Sequence, residues 1–317
     1  MDALFWQGLQ ILSMLLYAPL LEGWIAWLVA RLEGRQGVSP FQPYYDLYKL
    51  GHKELLLPGS AGIFYQLAPP LSLATMIAIA TLIPILTTFP LPLGWMGDMV
   101  AGGMLFALSS TVITLAGLET GNSYGGIGAW RSGFLNVLVE PALILVLIAV
   151  ALFAHATYPY VAGAAYRQSW ISYLDPAHLL AVVAFFLIFL VDTGRLPIEN
   201  HSGGAEVSMI EEARVLEYTG RDALLLRWSG MAKQFLLMVI LLNVFVAPWG
   251  MANQFSLLGF LEALSSLLAK TLALGGLIAL IEVSLARLRY YRYPEYFSLA
   301  LLLAIVTIAA AQLGGLR

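Results

Sequence analysis

The stretch 192–220 reads DTGRLPIENHSGGAEVSMIEEARVLEYTG and carries five glutamates, Glu199, Glu206, Glu211, Glu212 and Glu217. Long apolar runs flank it on both sides, in a chain where only 11% of residues are charged. An acidic patch between membrane spans is costly unless it meets water, cations or a partner. What that patch serves decides how the rest of the chain is read.

The chain is 60% hydrophobic with a positive mean hydropathy. Repeated apolar runs of about 18 residues or more read as membrane-spanning helices. Eight spans are expected, at 4–30, 65–89, 96–118, 136–157, 177–193, 232–250, 259–282 and 297–314. Helices follow because lipid offers no partner to free backbone groups. A transmembrane β-barrel needs alternating segments of about 10 residues, and these runs do not alternate. The fold class is therefore an all-α integral membrane protein, a single membrane domain over 1–317. The first apolar run lacks a basic leader and a small-residue cleavage site, so it reads as a retained span.

Lys and Arg set the orientation. The loops after spans 1, 3, 5 and 7, about 31–64, 119–135, 194–231 and 283–296, hold 13 of the 16 basic residues, counting Lys233 at their edge. The positive-inside rule puts these loops in the cytoplasm and both termini on the opposite side. In the first loop, Pro40 and Pro43 interrupt helix, and Tyr44–Leu57 is expected to form a short helix on the membrane surface. In the third, a helix is expected over Ala205–Tyr218, ending at Gly220 as a left-handed cap. GGIG at 125–128 reads as a flexible turn.

Several classes of chemistry are excluded. There is no cysteine, so the chain has neither a disulfide nor a thiolate-bound cluster or zinc. The four histidines lie far apart without metal-ligand spacing. No basic stripe for nucleic acid, nucleophile elbow, Walker loop or dinucleotide fingerprint is present. No catalytic residue and no metal site is expected on this chain, and any redox metals belong to partners.

Ionisable residues within the spans are the sharpest signal. Lys270, mid-span 7, reads either as a structural or snorkelling amine or as a step in ion transfer. Glu22 lies in the cytoplasmic half of span 1. Glu119 and Glu140 bracket the short loop between spans 3 and 4, which would bring both carboxylates together near the acidic patch. Two carboxylates sharing a poorly solvated site can hold one proton between them. Asp192 is expected to pair with Arg195, Glu211 with Arg214, and Glu282 with Arg287 and Arg289.

The acidic loop ending LEYTG resembles that of the NuoH-like membrane subunit of respiratory complex I. EGWIAWLVARLEGRQGVSPFQPYYDLYKL, GLETGNSYGGIGAWR with LVEP, and ARLRYYRYPEYF agree with it in order and spacing. GRQGVSPFQPY in place of RPGPNRVG, together with LVEP and RYPE, is more similar to the HycD-like branch of formate hydrogenlyase and energy-converting [NiFe]-hydrogenases. The resemblance implies a non-catalytic membrane anchor and coupling subunit in the cell membrane. It would dock hydrogenase-like large and small subunits, which hold NiFe and iron–sulfur clusters, and abut antiporter-like membrane subunits that move H⁺ or Na⁺. By motif position, Glu199, Glu206, Glu211, Glu212 and Glu217 would line an acidic funnel that Glu140 and Glu119 continue, with Glu22 and Lys270 as intramembrane steps. Arg35, Tyr44, Arg195, Arg287 and Arg289 would face partners. IENHSGGAEVSMIEE departs from the PFDLPEAESE-like wording of complex I. A quinone-chamber subunit of an NADH or ferredoxin:quinone oxidoreductase is the alternative within the family. A free-standing ion transporter is the alternative outside it, although neither inverted repeats nor mid-membrane breaks are read in the chain.

Overall fold

The computed structural model describes residues 2–59, 61–168, 175–195, 213–285 and 293–314. Among them are ten α-helices and no strand. They are α1 (Asp2–Leu32), α2 (Gln42–Gly51), α3 (Ile63–Leu82), α4 (Met99–Glu119), α5 (Ser123–Phe153), α6 (Pro159–Gln168), α7 (Pro176–Asp192), α8 (Gly220–Ile240), α9 (Leu257–Ser284) and α10 (Tyr293–Gly314). Six of these, α1, α3, α4, α5, α8 and α9, are long and apolar enough to cross a membrane. Pro176–Asp192 and Glu295–Ala310 are shorter apolar helices. The eight expected runs correspond in order to α1, α3, α4, α5, α7, α8, α9 and α10, and the protein is an all-α, multi-pass membrane protein.

Helix α8 is the axis of the bundle. Of its most apolar window 78% is buried, against 33% for α9. Phe235, Leu236, Leu237, Met238 and Val239 are buried in succession, the mark of a helix covered on every side. Around it α1, α3 and α7 bury one stripe, and residues such as Leu4, Phe5 and Leu12 on α1 face outward. Lipid removes the hydrophobic drive between spans, so close packing holds them, and small residues make it close. On the α4–α5 contact a Cβ at Gly103 would lie 3.0 Å from Ile144 Cγ1, and one at Gly117 3.0 Å from Ala129 Cβ.

Four boundaries differ from expectation, each for a local reason. The loop expected at 119–135 shrinks to Thr120–Asn122. Gly121 turns at φ +69°, and Asn122 Oδ1 accepts from the Tyr124 N–H at 3.0 Å, capping a helix that runs straight through GGIG. The glycines there serve close approach, since a Cβ on Gly128 would stand 2.5 Å from Ala213 Cβ. Helix α3 stops at Leu82 instead of 89, because Ile83 precedes Pro84 and is held extended (φ −102°, ψ 153°). Helix α8 begins at Gly220 instead of 232 and leaves through a π-helical turn, Leu241–Val246, before Pro248. Gly220 (φ +53°) thus opens a helix where a closing cap was expected; a Cβ there would sit 2.7 Å from the Glu54 carbonyl oxygen.

Most of the expected Ala205–Tyr218 helix lies outside the described residues, and its described end is a short 3-10 turn, Ala213–Val215. The surface helix is Gln42–Gly51, shorter than the expected Tyr44–Leu57. A Cβ at Gly23 would run into the Pro40 carbonyl. Gly23→Ala is expected to cost about 1–3 kcal/mol by overpacking and to lift the segment leading into α2 off α1. Limited proteolysis checks this: cleavage within 33–59 should rise while the other loops stay protected.

Candidate functional site

Three basic side chains, Arg195, Lys233 and Arg214, gather the helix ends near Asp192. Arg195 follows α7, is 4% exposed, and pairs with Glu22 on α1 and with Glu282 on α9 at 3.2 Å. Gln234 Oε1 on α8 accepts a third bond from it at 2.9 Å. One guanidinium therefore ties together α1, α8, α9 and the end of α7. The expected Asp192–Arg195 pair does not form, while Glu211, the expected partner of Arg214, and Arg287 and Arg289, those of Glu282, lie outside the described residues. Asp192 binds Lys233 Nζ on α8 at 2.6 Å, and the same ammonium donates to Ser110 Oγ on α4 at 3.1 Å. Near it, Arg214 donates to Ser132 Oγ on α5 at 2.7 Å and to Thr114 Oγ1 on α4 at 3.4 Å.

Glu140 stands among these groups. It lies midway along α5, immediately before Pro141, which cannot donate to the Val137 carbonyl and so loosens that turn. The charged groups that act on it are Lys233, Asp192 and Arg214. Its Oε1 is buried without a hydrogen-bond partner among the described residues, and so is Asp192 Oδ2. A cavity of about 520 Å³ opens beside Asp192, lined among others by Glu22, Asp192, Arg214, Tyr218, Lys233 and Gln234.

Glu119 is elsewhere. The 17 residue steps from Ser123 to Glu140 rise about 25 Å along α5, so Glu140 lies several turns from the turn beside Glu119, and the expected carboxylate pair does not form. Glu119 Oε2 instead accepts the Tyr65 N–H at 2.7 Å, against the first turn of α3. Its charge there complements the helix dipole. Glu217 accepts from Asn122 Nδ2, so Asn122 both caps α5 and holds the acidic loop's last glutamate. Tyr65 and Tyr218 stack in parallel with centroids 4.1 Å apart. Their hydroxyls donate to the Glu217 and Tyr65 carbonyls at 3.0 and 2.8 Å. Burial raises the Tyr218 phenol above its ordinary value, with Tyr65, Asp222 and Glu119 adding to the effect; it stays protonated as a donor.

The remaining candidates divide. Lys270 Nζ meets neutral oxygens, Asn243 Oδ1 and the Ala247 and Trp249 carbonyls, away from the carboxylates. Tyr44 donates to the Leu16 carbonyl and so anchors α2 to α1; Arg35 is exposed and pairs with Glu33. Glu199, Glu206, Glu211, Glu212, Arg287 and Arg289 lie outside the described residues. Sequence reasoning missed the roles of Lys233, Gln234 and Asn122. Lys233 and Gln234 lie one turn or less before an unbroken apolar run, a position that foretells burial with a partner.

Comparison with known proteins places this geometry. Residues 7–312 match the family described as NADH dehydrogenase. Hydrogenase-4 component C of Escherichia coli (strain K12) is 30% identical over 284 residues, 89% of this chain and 87% of that protein. Formate hydrogenlyase subunit 4 of the same organism is 31% identical over 308 residues, 96% of this chain and 98% of the relative. The fold also superposes on a chain of the membrane-bound sulfane sulfur reductase, an archaeal respiratory membrane complex, with a TM-score of 0.84 over 98% of this chain and 100% of that one, at 21% identity. A match over nearly the whole length, carried by relatives that share about a third of its residues, makes this chain a member of the NADH dehydrogenase family of NuoH- and HycD-like membrane proteins.

Proposed function

We propose that this chain is the coupling subunit of an ion-translocating oxidoreductase of the [NiFe]-hydrogenase or formate hydrogenlyase type. It anchors a cytoplasmic redox module and relays protonation changes towards antiporter-like membrane subunits. The acidic loop 192–220 faces the cytoplasm in this arrangement, with both termini on the opposite side, as the distribution of Lys and Arg argues. NiFe and iron–sulfur clusters reside on the partner subunits. The similarity to hydrogenase-4 component C and formate hydrogenlyase subunit 4 supports this branch of the family.

The observation that carries the relay is the Glu140 cluster. Among the described residues, four carboxylates (Glu22, Glu140, Asp192, Glu282) gather with three cations (Lys233, Arg195, Arg214), and Glu22, Asp192, Lys233 and Arg214 line one cavity. Among the described residues the carboxylates outnumber the cations by one, and a carboxylate in such a set exchanges a proton in step with its neighbours. Glu140, with a buried unpartnered oxygen, is that group. Glu217 and the other loop glutamates supply it from the cytoplasmic side, and the Asp192–Lys233 pair receives the change. Movement of the redox module would shift the loop and with it the charge that Glu140 experiences.

The cavity favours a second reading, a quinone chamber, because its volume falls in the range of small-molecule sites. Gentle purification of the chain with its partners separates the two. Nickel and iron–sulfur clusters without quinone are expected for the hydrogenase type. Quinone without nickel would favour the chamber, and recovery of an isolated, transport-competent chain would overturn both.

A further inference from the structure

At the opposite end of α8 the backbone leaves helical geometry inside the protein. The π-helical turn Leu241–Val246 ends at Ala247, and the chain runs irregularly to Ser256, where α9 begins. Residues 83–93 run beside it, joined by the Ala252 N–H to the Leu86 carbonyl at 2.8 Å and the Thr88 N–H to the Ala252 carbonyl at 3.0 Å. Irregular backbone at membrane depth is tolerated where protein supplies its partners. Side chains from other elements do so here. Gln10 donates to the Ala80 and Ile83 carbonyls at 2.7 and 3.1 Å, and Tyr160 to Ile83 at 3.1 Å.

Lys270 is the charged member of this set. Its ammonium has three hydrogens and finds three oxygens, Asn243 Oδ1 at 2.9 Å, the Ala247 carbonyl at 2.9 Å and the Trp249 carbonyl at 2.6 Å. All three belong to neutral groups. Asn243 is wholly buried, and both hydrogens of its amide are used by the Pro84 and Ile85 carbonyls at 2.9 and 3.0 Å. Its Oδ1 is therefore fixed towards Lys270, because the flipped amide would lose both bonds and set an N–H against the ammonium. Gly250, at φ +76°, turns the chain over the lysine stem; a Cβ there would lie 3.9 Å from Lys270 Cε. Neutral oxygens converging at a helix break are the ligand chemistry of a small monovalent cation.

We propose that Asn243 Oδ1 and the carbonyl oxygens of Ala247 and Trp249 form a site for a small monovalent cation, which the protein fills with its own Lys270. The tethered ammonium pins the unwound 247–250 segment to α9, and the site excludes free Na⁺ while the lysine is in place. Cutting the side chain back opens the same oxygens to Na⁺ or methylammonium, with water entering from the exposed Trp249–Gly250 side. This assignment is independent of the Glu140 cluster, which lies towards the other end of α8.

The test is the thermal unfolding midpoint of the full chain in nanodiscs, compared in choline chloride, NaCl and methylammonium chloride at equal ionic strength. In choline chloride K270A is expected to melt well below the unsubstituted protein. Na⁺ or methylammonium should restore most of the difference with a saturable dependence, and leave the unsubstituted protein and K270A/N243A unchanged. K270M, which keeps an apolar stem and opens the same oxygens, carries the same comparison if K270A is not recovered. Equal midpoints in all three salts for the variants, or the same cation response in the unsubstituted protein, would overturn the proposal.

Discussion

Replacing Arg195 by methionine is expected to destabilise the chain by about 3–5 kcal/mol, the cost of leaving buried carboxylates without their cation. Arg195 is 4% exposed and serves Glu22, Glu282 and Gln234 on three different helices. Its loss strands two partly buried carboxylates at once and unties α1, α8 and α9 at the same end. The signature is a lower unfolding midpoint in nanodiscs and poor recovery of the assembled complex. The triple variant R195M/E22Q/E282Q should regain most of the stability, because removing a buried ionic set together is far less costly than removing one member. A single R195M variant as stable as the parent would mean that the three groups are solvated and do not hold the helix ends.

Glu140→Gln has the second large effect, and it falls on function. The substitution keeps the size and the burial, so the chain should insert and assemble normally. It removes the only group in the cluster with a buried unpartnered carboxylate oxygen besides Asp192, among the described residues. Reconstituted complex should then continue electron transfer while ion translocation per electron falls to background. A positioned proton-transfer group commonly contributes a factor of about 10² or more, so the loss should be plain in a pH-dye or Na⁺-flux assay. Glu119→Gln is the contrast. Glu119 caps α3 through the Tyr65 N–H, so its removal should cost about 1 kcal/mol and leave translocation largely intact.

Much of the fold is legible in the sequence, because lipid reduces the choice to helices and the apolar runs are long. What escapes that reading comes from residues with two uses. The glycines of GNSYGGIGAWRSG read as a loop, yet Asn122 caps α5 and Gly128 lets Ala213 approach. Gly220 does adopt a left-handed φ, but at the start of a helix, where contact with the Glu54 backbone demands it. At the site, the acidic loop and Glu140 stand out because charge is rare in this chain. Their partners do not. Sequence proximity matches Arg195 to Asp192, three residues away, whereas its actual partners Glu22 and Glu282 are 173 and 87 residues distant. Nearness in sequence misleads at a helix end, where the side chain points across the bundle. Lys270 is visible as a mid-span cation, but backbone carbonyls carry no sequence signature, so its cradle can be found only in the fold.

The coupling role rests on Glu140 changing protonation as the partner turns over. Redox-triggered infrared difference spectroscopy of the assembled complex observes that step directly. The account predicts a carboxylic-acid carbonyl band that appears or vanishes on reduction and is missing in Glu140→Gln. A difference spectrum with the same carboxylic-acid bands in both proteins would contradict it.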